Sequence, residues 1–142
     1  MSKVHDIVRD RQLFYVEEGK SVADVARRMT ELHVGAIIVL REGKLRGVFS
    51  ERDLMKRVVA EGRDPRGTMV EEVMSRDVVT VDECASLDEA MELMHAHECR
   101  HLPVTRGSQV TAFLSMRDLM NDELARKTEE LHHMRAYIHG SV

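Results

Sequence analysis

The chain lies over itself without gaps at an offset of 65 residues. Ser50 falls on Ser115, Arg52 on Arg117, Asp53 on Asp118, Leu54 on Leu119 and Met55 on Met120. Upstream, Val16 meets Val81, Glu18 meets Glu83, Ser21 meets Ser86, Met29 meets Met94, Val39 meets Val104 and Arg41 meets Arg106. Whatever unit one half forms, the other half forms too. Two copies are too few for a solenoid, so the duplication predicts a fused pair. A chain of 142 residues can bury a sizeable core without disulfides or metals.

Each copy reads β-α-β-β-α. A short extended piece comes first, Leu13 to Val16 and Val78 to Val81, rich in β-branched and aromatic residues. Ser21 with Asp24, and Ser86 with Glu89, are capping boxes that open a helix. Val22, Val25, Ala26, Met29 and Leu32 then share one helical face, as do Leu87, Ala90, Met91 and Met94. Two strands follow, Ala36 to Leu40 with Leu45 to Phe49, and Leu102 to Thr105 with Val110 to Leu114. Their polar, glycine-bearing turns suit hairpins. The S-x-R-D strings at Ser50 and Ser115 begin the closing helices. Met69 to Met74 forms a helical turn leading into the second copy, matched by Val4 to Val8 in the first. The expected boundaries are 1–60 for the first repeat, 61–68 for a Gly- and Pro-broken linker, 69–122 for the second repeat and 123–142 for a C-terminal helix. In that tail Leu124, Leu131 and Ile138 are seven apart, with Met134 between, so an apolar stripe predicts docking on this module or on a second subunit.

Composition removes several functions. A net charge of -4 argues against phosphate neutralisation on nucleic acid, and 4% aromatics with no Trp leave few stacking platforms. No apolar run approaches the ~18 residues of a membrane span, and the N-terminus lacks the apolar core of a signal peptide. A cytoplasmic protein is expected. Cys84 and Cys99 form no C-x-x-C and suit a reducing compartment. There is no glycine-rich phosphate loop, no H-E-x-x-H and no nucleophile elbow, so no enzyme is expected.

S-x-x-D ahead of an apolar helical run is a capping motif in its own right. The same geometry suits a nucleotide. A helix start offers free N–H groups to a phosphate, Ser50 or Ser115 adds a hydroxyl, and Arg52 or Arg117 adds charge-assisted bonds. An ionised Asp53 or Asp118 accepts only, which matches the two hydroxyls of a ribose.

The ordered set goes further than any one motif. The β-α-β-β-α order, the strand His101-Leu102-Pro103-Val104 and the string Gly47 to Asp53, repeated in tandem from about Val4 to Met120, resemble the CBS (cystathionine β-synthase) domain in its usual tandem pair, the Bateman module. The resemblance implies an α/β (α+β) fold in which two repeats pack about a pseudo-twofold axis, here with a C-terminal helix. It also implies two clefts for adenosine-containing ligands. Carried over by position, one cleft combines Ser50, Arg52 and Asp53 with Val78, Val79, Arg100 and His101. The other combines Ser115, Arg117 and Asp118 with Gln12, Leu13, Gly35 and Ala36. Arg100 and a protonated His101 make the Asp53 cleft the expected tighter, polyphosphate site. The second copy departs from the pattern at Ala112, where the glycine belongs, and the first at Ile38, where Pro is common.

The implied function is a sensor of energy or redox state that binds AMP, ADP, ATP or NAD(H) as regulatory ligand, with no cofactor required. It signals through a homodimer, commonly a flat four-repeat disc, or through a separate protein target. The competing expectation is a ligand-free interaction module in which S-x-R-D only caps helices. A metal site in His95-Ala96-His97-Glu98-Cys99-Arg100-His101 is a third, weaker one, since that stretch lacks a closed ligand set.

Overall fold

The computed structural model describes residues 2–138. The order is α1 (Val4–Val8), β1 (Tyr15–Glu17), α2 (Val22–Leu32), β2 (Ala36–Arg41), β3 (Lys44–Ser50) and α3 (Glu51–Asp53), which continues as a π-helical segment, Leu54–Val59. The second half repeats it as α4 (Val70–Val73), β4 (Val81–Asp82), α5 (Leu87–Ala96), β5 (His101–Arg106), β6 (Gln109–Ser115) and α6 (Met116–Ile138). Two three-stranded sheets result, ordered β1-β2-β3 and β4-β5-β6, each with a parallel and an antiparallel pair. They abut through β3 and β6.

Local chemistry accounts for most element ends. The β2–β3 hairpin turns on Glu42 and Gly43 at φ 51° and 78°, the left-handed pair that a tight two-residue turn requires. Ser86 and Glu89 form a full capping box, whereas Ser21 accepts from the Asp24 N–H alone. Asp24 faces Arg27 at 3.4 Å instead of returning to the Ser21 backbone. The first strands are shorter than the residue pattern predicts, because parallel pairing with β2 begins only at Tyr15 and pairing with β5 only at Val81. The stretch before Tyr15 lines open clefts and does not extend the sheet. The closing helix of the second copy and the C-terminal helix are one element of 23 residues.

There are two cores, and each contains a helix from the other repeat. Val70, Val73 and Met74 pack with Val22, Val25, Met29, Ile37, Val39, Phe49 and Val58 of the first copy. Val4 and Val8 pack with Val81, Leu87, Ala90, Met94, Leu102, Val104, Leu114 and Leu119 of the second. Backbone bonds secure the exchange: Val4 N–H to Ala85 O and His5 N–H to Glu83 O on one side, Val22 N–H to Thr68 O and Val70 N–H to Lys20 O on the other. Each repeat therefore closes its core with the partner repeat's lead-in helix. Neither half is a complete packing unit.

Candidate functional site

The exchange of lead-in helices decides what each S-x-R-D aspartate meets. The segment after α4 passes Asp53, and the segment after α1 passes Asp118. Both aspartates close the first turn of a helix. The Ser50 N–H donates to Asp53 Oδ2 at 3.0 Å and the Asp53 N–H to Ser50 Oγ at 3.1 Å. In the second copy the Ser115 N–H donates to Asp118 Oδ2 at 2.8 Å and the Asp118 N–H to Ser115 Oγ at 3.1 Å. The capping expectation thus describes both copies. What differs is the rest of each carboxylate.

Asp53 is enclosed, with its side chain 8% exposed. Ser75 Oγ donates to its Oδ1 at 3.1 Å, Ser50 Oγ sits 3.1 Å from its Oδ2, and the Arg57 guanidinium lies 3.8 Å away. Arg57 also donates to the Met74 and Val73 carbonyls at 2.9 and 3.3 Å. Ser75 and Val48 exchange both backbone bonds, which binds the second lead-in to the edge of β3. That approach is possible because residue 47 is glycine. A methyl there would stand 2.7 Å from Met74 Sδ and 2.7 Å from the Ser75 carbonyl oxygen. The three carboxylate partners that Ser75, Ser50 and Arg57 supply are a clamp on the lead-in strand. Neither Ser75 nor Arg57 was legible as a site residue from the repeat pattern.

Asp118 faces a cleft of about 1340 Å³. Position 112, the counterpart of Gly47, carries a methyl, and among the described residues the first lead-in makes no bridge to β6. Arg11 comes across from that lead-in and donates to Asp118 Oδ2 at 2.7 Å; its side chain is 42% exposed and that of Asp118 15%. At the 65-residue offset Arg11 corresponds to Arg76, which instead donates to the Glu71 carbonyl at 2.8 Å. Burial pushes the Asp118 carboxyl upward, but the Arg11 hydrogen bond and charge and the bonds from Ser115 together hold it below its ordinary value. It is an ionised acceptor at neutral pH.

The cleft gathers most of the second expected set. Gln12, Gly35, Ala36, Ser115, Arg117 and Asp118 line it; Leu13 lies in an adjoining groove with Tyr15 and Lys20. Arg100 and His101, expected opposite Asp53, line the Asp118 cleft. The reason is strand register: His101 pairs directly with Ser115 across β5 and β6. Val79 packs against the second core and Val78 is half-buried. The charge expected of His101 also changes. Burial pushes its imidazole below the ordinary value, with Arg100 acting in the same direction and the Asp118 and Glu51 carboxylates opposing, so it is mostly neutral near pH 7. Arg11, Arg100 and Arg117 are then the fixed positive charges of the cleft.

His95 and His97 sit exposed at the end of α5, while His101 is on β5 inside the cleft. Among the described residues no group of three His, Cys, Asp or Glu side chains is placed to hold a metal ion. Burial raises the Cys99 thiol, which packs against the second core. No helix among the described residues is long and apolar enough to cross a membrane.

Comparison with known proteins agrees with the fold. The chain is 32% identical over 128 residues to the CBS domain-containing protein YhcV of Bacillus subtilis, covering 90% of each chain. It is 30% identical to the longer CBS domain-containing protein CBSX3, mitochondrial, of Arabidopsis thaliana, of which it spans 61%. A putative signal-transduction protein with CBS domains from Burkholderia ambifaria superposes with a TM-score of 0.83 at 32% identity, over 87% of this chain and 95% of that one. The CBS domain pair of protein MJ0100, solved in complex with 5'-methylthioadenosine and S-adenosyl-L-methionine, shares the fold at a TM-score of 0.80 and 20% identity, over 89% and 98% of the two chains. The CBS domain profile matches residues 4–60 and 70–124. The chain belongs to the CBS-domain family and carries the domain as a tandem pair.

Proposed function

We propose that this chain is a non-catalytic regulatory module that binds an adenine nucleotide, AMP, ADP, ATP or NAD(H), in the Asp118 cleft. It reports energy or redox state in the cytoplasm through the geometry of a homodimer or through a protein target. The observation that carries the proposal is the convergence of an ionised acceptor, Asp118, with Ser115 and the guanidiniums of Arg11, Arg100 and Arg117 in one open cleft. An acceptor-only carboxylate matches a ribose diol. Arginines beside the start of α6 match a phosphate chain. The adenosine ligands in the related MJ0100 pair support the ligand class. For Asp53 the clamp of Ser75, Ser50 and Arg57 favours a structural role, so we assign the principal site to Asp118.

Regulation requires a ligand that favours one of two conformations. Arg11 supplies a candidate pair of states. Without ligand it neutralises Asp118; with ligand the diol takes the carboxylate and the guanidinium turns to phosphate. Thermal shift and isothermal titration with the four nucleotides plus S-adenosylmethionine test the proposal. A ligand at a hundredfold excess over its Kd stabilises by ~2.7 kcal/mol, and Asp118→Asn should abolish that gain while Asp53→Asn leaves binding in place. No shift across the panel would reject nucleotide binding and leave the ligand-free interaction module.

A further inference from the structure

Helix α6 runs on well past its contact with the core. Leu119 is its one buried residue, while Leu124, Leu131, Met134 and Ile138 are 66%, 51%, 58% and 69% exposed. Leu124, Leu131 and Ile138 recur every seven residues, with Met120 and Met134 at the intervening positions, which is the a/d seam of a coiled coil. A helical extension with its other faces charged is marginal in water unless that seam is covered.

We propose that α6 pairs in parallel with α6 of a second copy as a short two-stranded coiled coil. The proposal rests on the homodimer reading above and adds its interface and polarity. Length selects the occupant. The repeat counterpart of α6, α3 with its π-helical continuation, ends at Val59. A head-to-tail dimer that set α6 on that helix would leave Leu131, Met134 and Ile138 uncovered. In a second copy no other described element is long enough.

Flanking charge selects the polarity. Glu123 and Glu130 border one side of the seam, and Asn121, Thr128 and Arg135 the other. Parallel pairing sets Glu130 against Arg135 of the second copy, twice by symmetry, whereas antiparallel pairing sets Glu130 against its own equivalent. Position agrees. Met55 and Val59, the repeat counterparts of Met120 and Leu124, are 59% and 68% exposed. Leu54 and Met120 line the same cleft, so their helices flank it together. Parallel helices bring both modules to one end of the pair. Lys127, the one charged residue in the seam, meets its own equivalent in parallel pairing, a cost that Glu123 of its own helix, 3.7 Å away, offsets in part. A lone polar residue in such a seam fixes register at a cost in stability.

The test uses the full chain. Sedimentation equilibrium should give a dimer, and Leu131→Asp should weaken it at least tenfold with a loss of far-UV helical signal. In a Cys84→Ser, Cys99→Ser background, Leu124→Cys alone should oxidise to a covalent dimer. A monomeric unmodified chain would reject the dimer reading and this pairing together. A dimer that Leu131→Asp leaves intact would reject the α6 pairing alone. A crosslink that forms only when Leu124→Cys and Met134→Cys chains are mixed would reverse the polarity.

Discussion

Substituting Gly47→Ala tests whether one missing methyl holds the Asp53 side shut. The added Cβ would meet two atoms at 2.7 Å. Met74 Sδ belongs to a flexible side chain, which can shift only by repacking within the first core. The Ser75 carbonyl is backbone, tied to Val48 by bonds of 3.0 and 2.9 Å, and can withdraw only by giving those bonds up. Giving up both bonds costs about 2 kcal/mol at about 1 kcal/mol each, and the overpacking left after the carbonyl withdraws adds up to about 1 kcal/mol, so a total loss of about 2–3 kcal/mol is expected. At this chain length roughly 3–4 °C accompanies each kcal/mol, which places the fall in Tm at about 6–12 °C by calorimetry. Amide exchange should speed up at Val48 and Ser75, and Asp53 should lose its Ser75 partner. The reverse change, Ala112→Gly, relieves no clash and should cost about 1 kcal/mol or less, from added freedom of the unfolded chain and a small lost contact. A Gly47→Ala protein within ~0.5 kcal/mol of the parent would refute the account, since that is the range of neutral surface changes.

Removing the Arg11 guanidinium should separate nucleoside from nucleotide. Arg11→Gln frees the Asp118 carboxylate, so adenosine should bind more tightly while ATP binds more weakly by titration calorimetry; a change of the same sign for both would refute the exchange. Acid should erase the contribution of this pair. Because the folded Asp118 carboxyl lies below its ordinary value, the stabilisation is present above about pH 4 and is lost as pH falls through the lower folded value. The stability gap between the parent and Arg11→Gln, measured by urea unfolding, should therefore be constant near neutrality and close in acid; a gap that widens in acid contradicts the sign. The exchanged helices predict an effect in the other repeat: Val4→Ala, at a fully buried position, should cost about 2 kcal/mol and lower exchange protection in β5 and β6 before β2 and β3. Deprotection confined to the first repeat would contradict the swapped core.

The duplication made the fold legible because it is an identity between residues, whatever their environment. Pairs such as Ser50 and Ser115 carry the register, and helix faces and strand pairs follow from period and capping. The lead-in turns were legible as well, since Val4 to Val8 and Met69 to Met74 show the same apolar spacing. Their destination was not. An apolar turn states that it must be buried but not in which of two similar cores, and that choice is made by backbone bonds such as Val4 to Ala85 and Val70 to Lys20. The site inherits the ambiguity. Position alone placed Arg100 and His101 opposite Asp53, but antiparallel register sets His101 beside Ser115 and so inside the Asp118 cleft. Alanine in place of glycine at position 112 alters little within the strand itself. Its effect lies in what the opposite position admits. Gly47 lets a foreign backbone approach to bonding distance and close over an aspartate. Among the described residues no such bridge forms where Ala112 stands, and an arginine reaches the aspartate across an open cleft. Two nearly identical strings thus hold their carboxylates in different surroundings, one closed over by Ser75 and one facing a cleft.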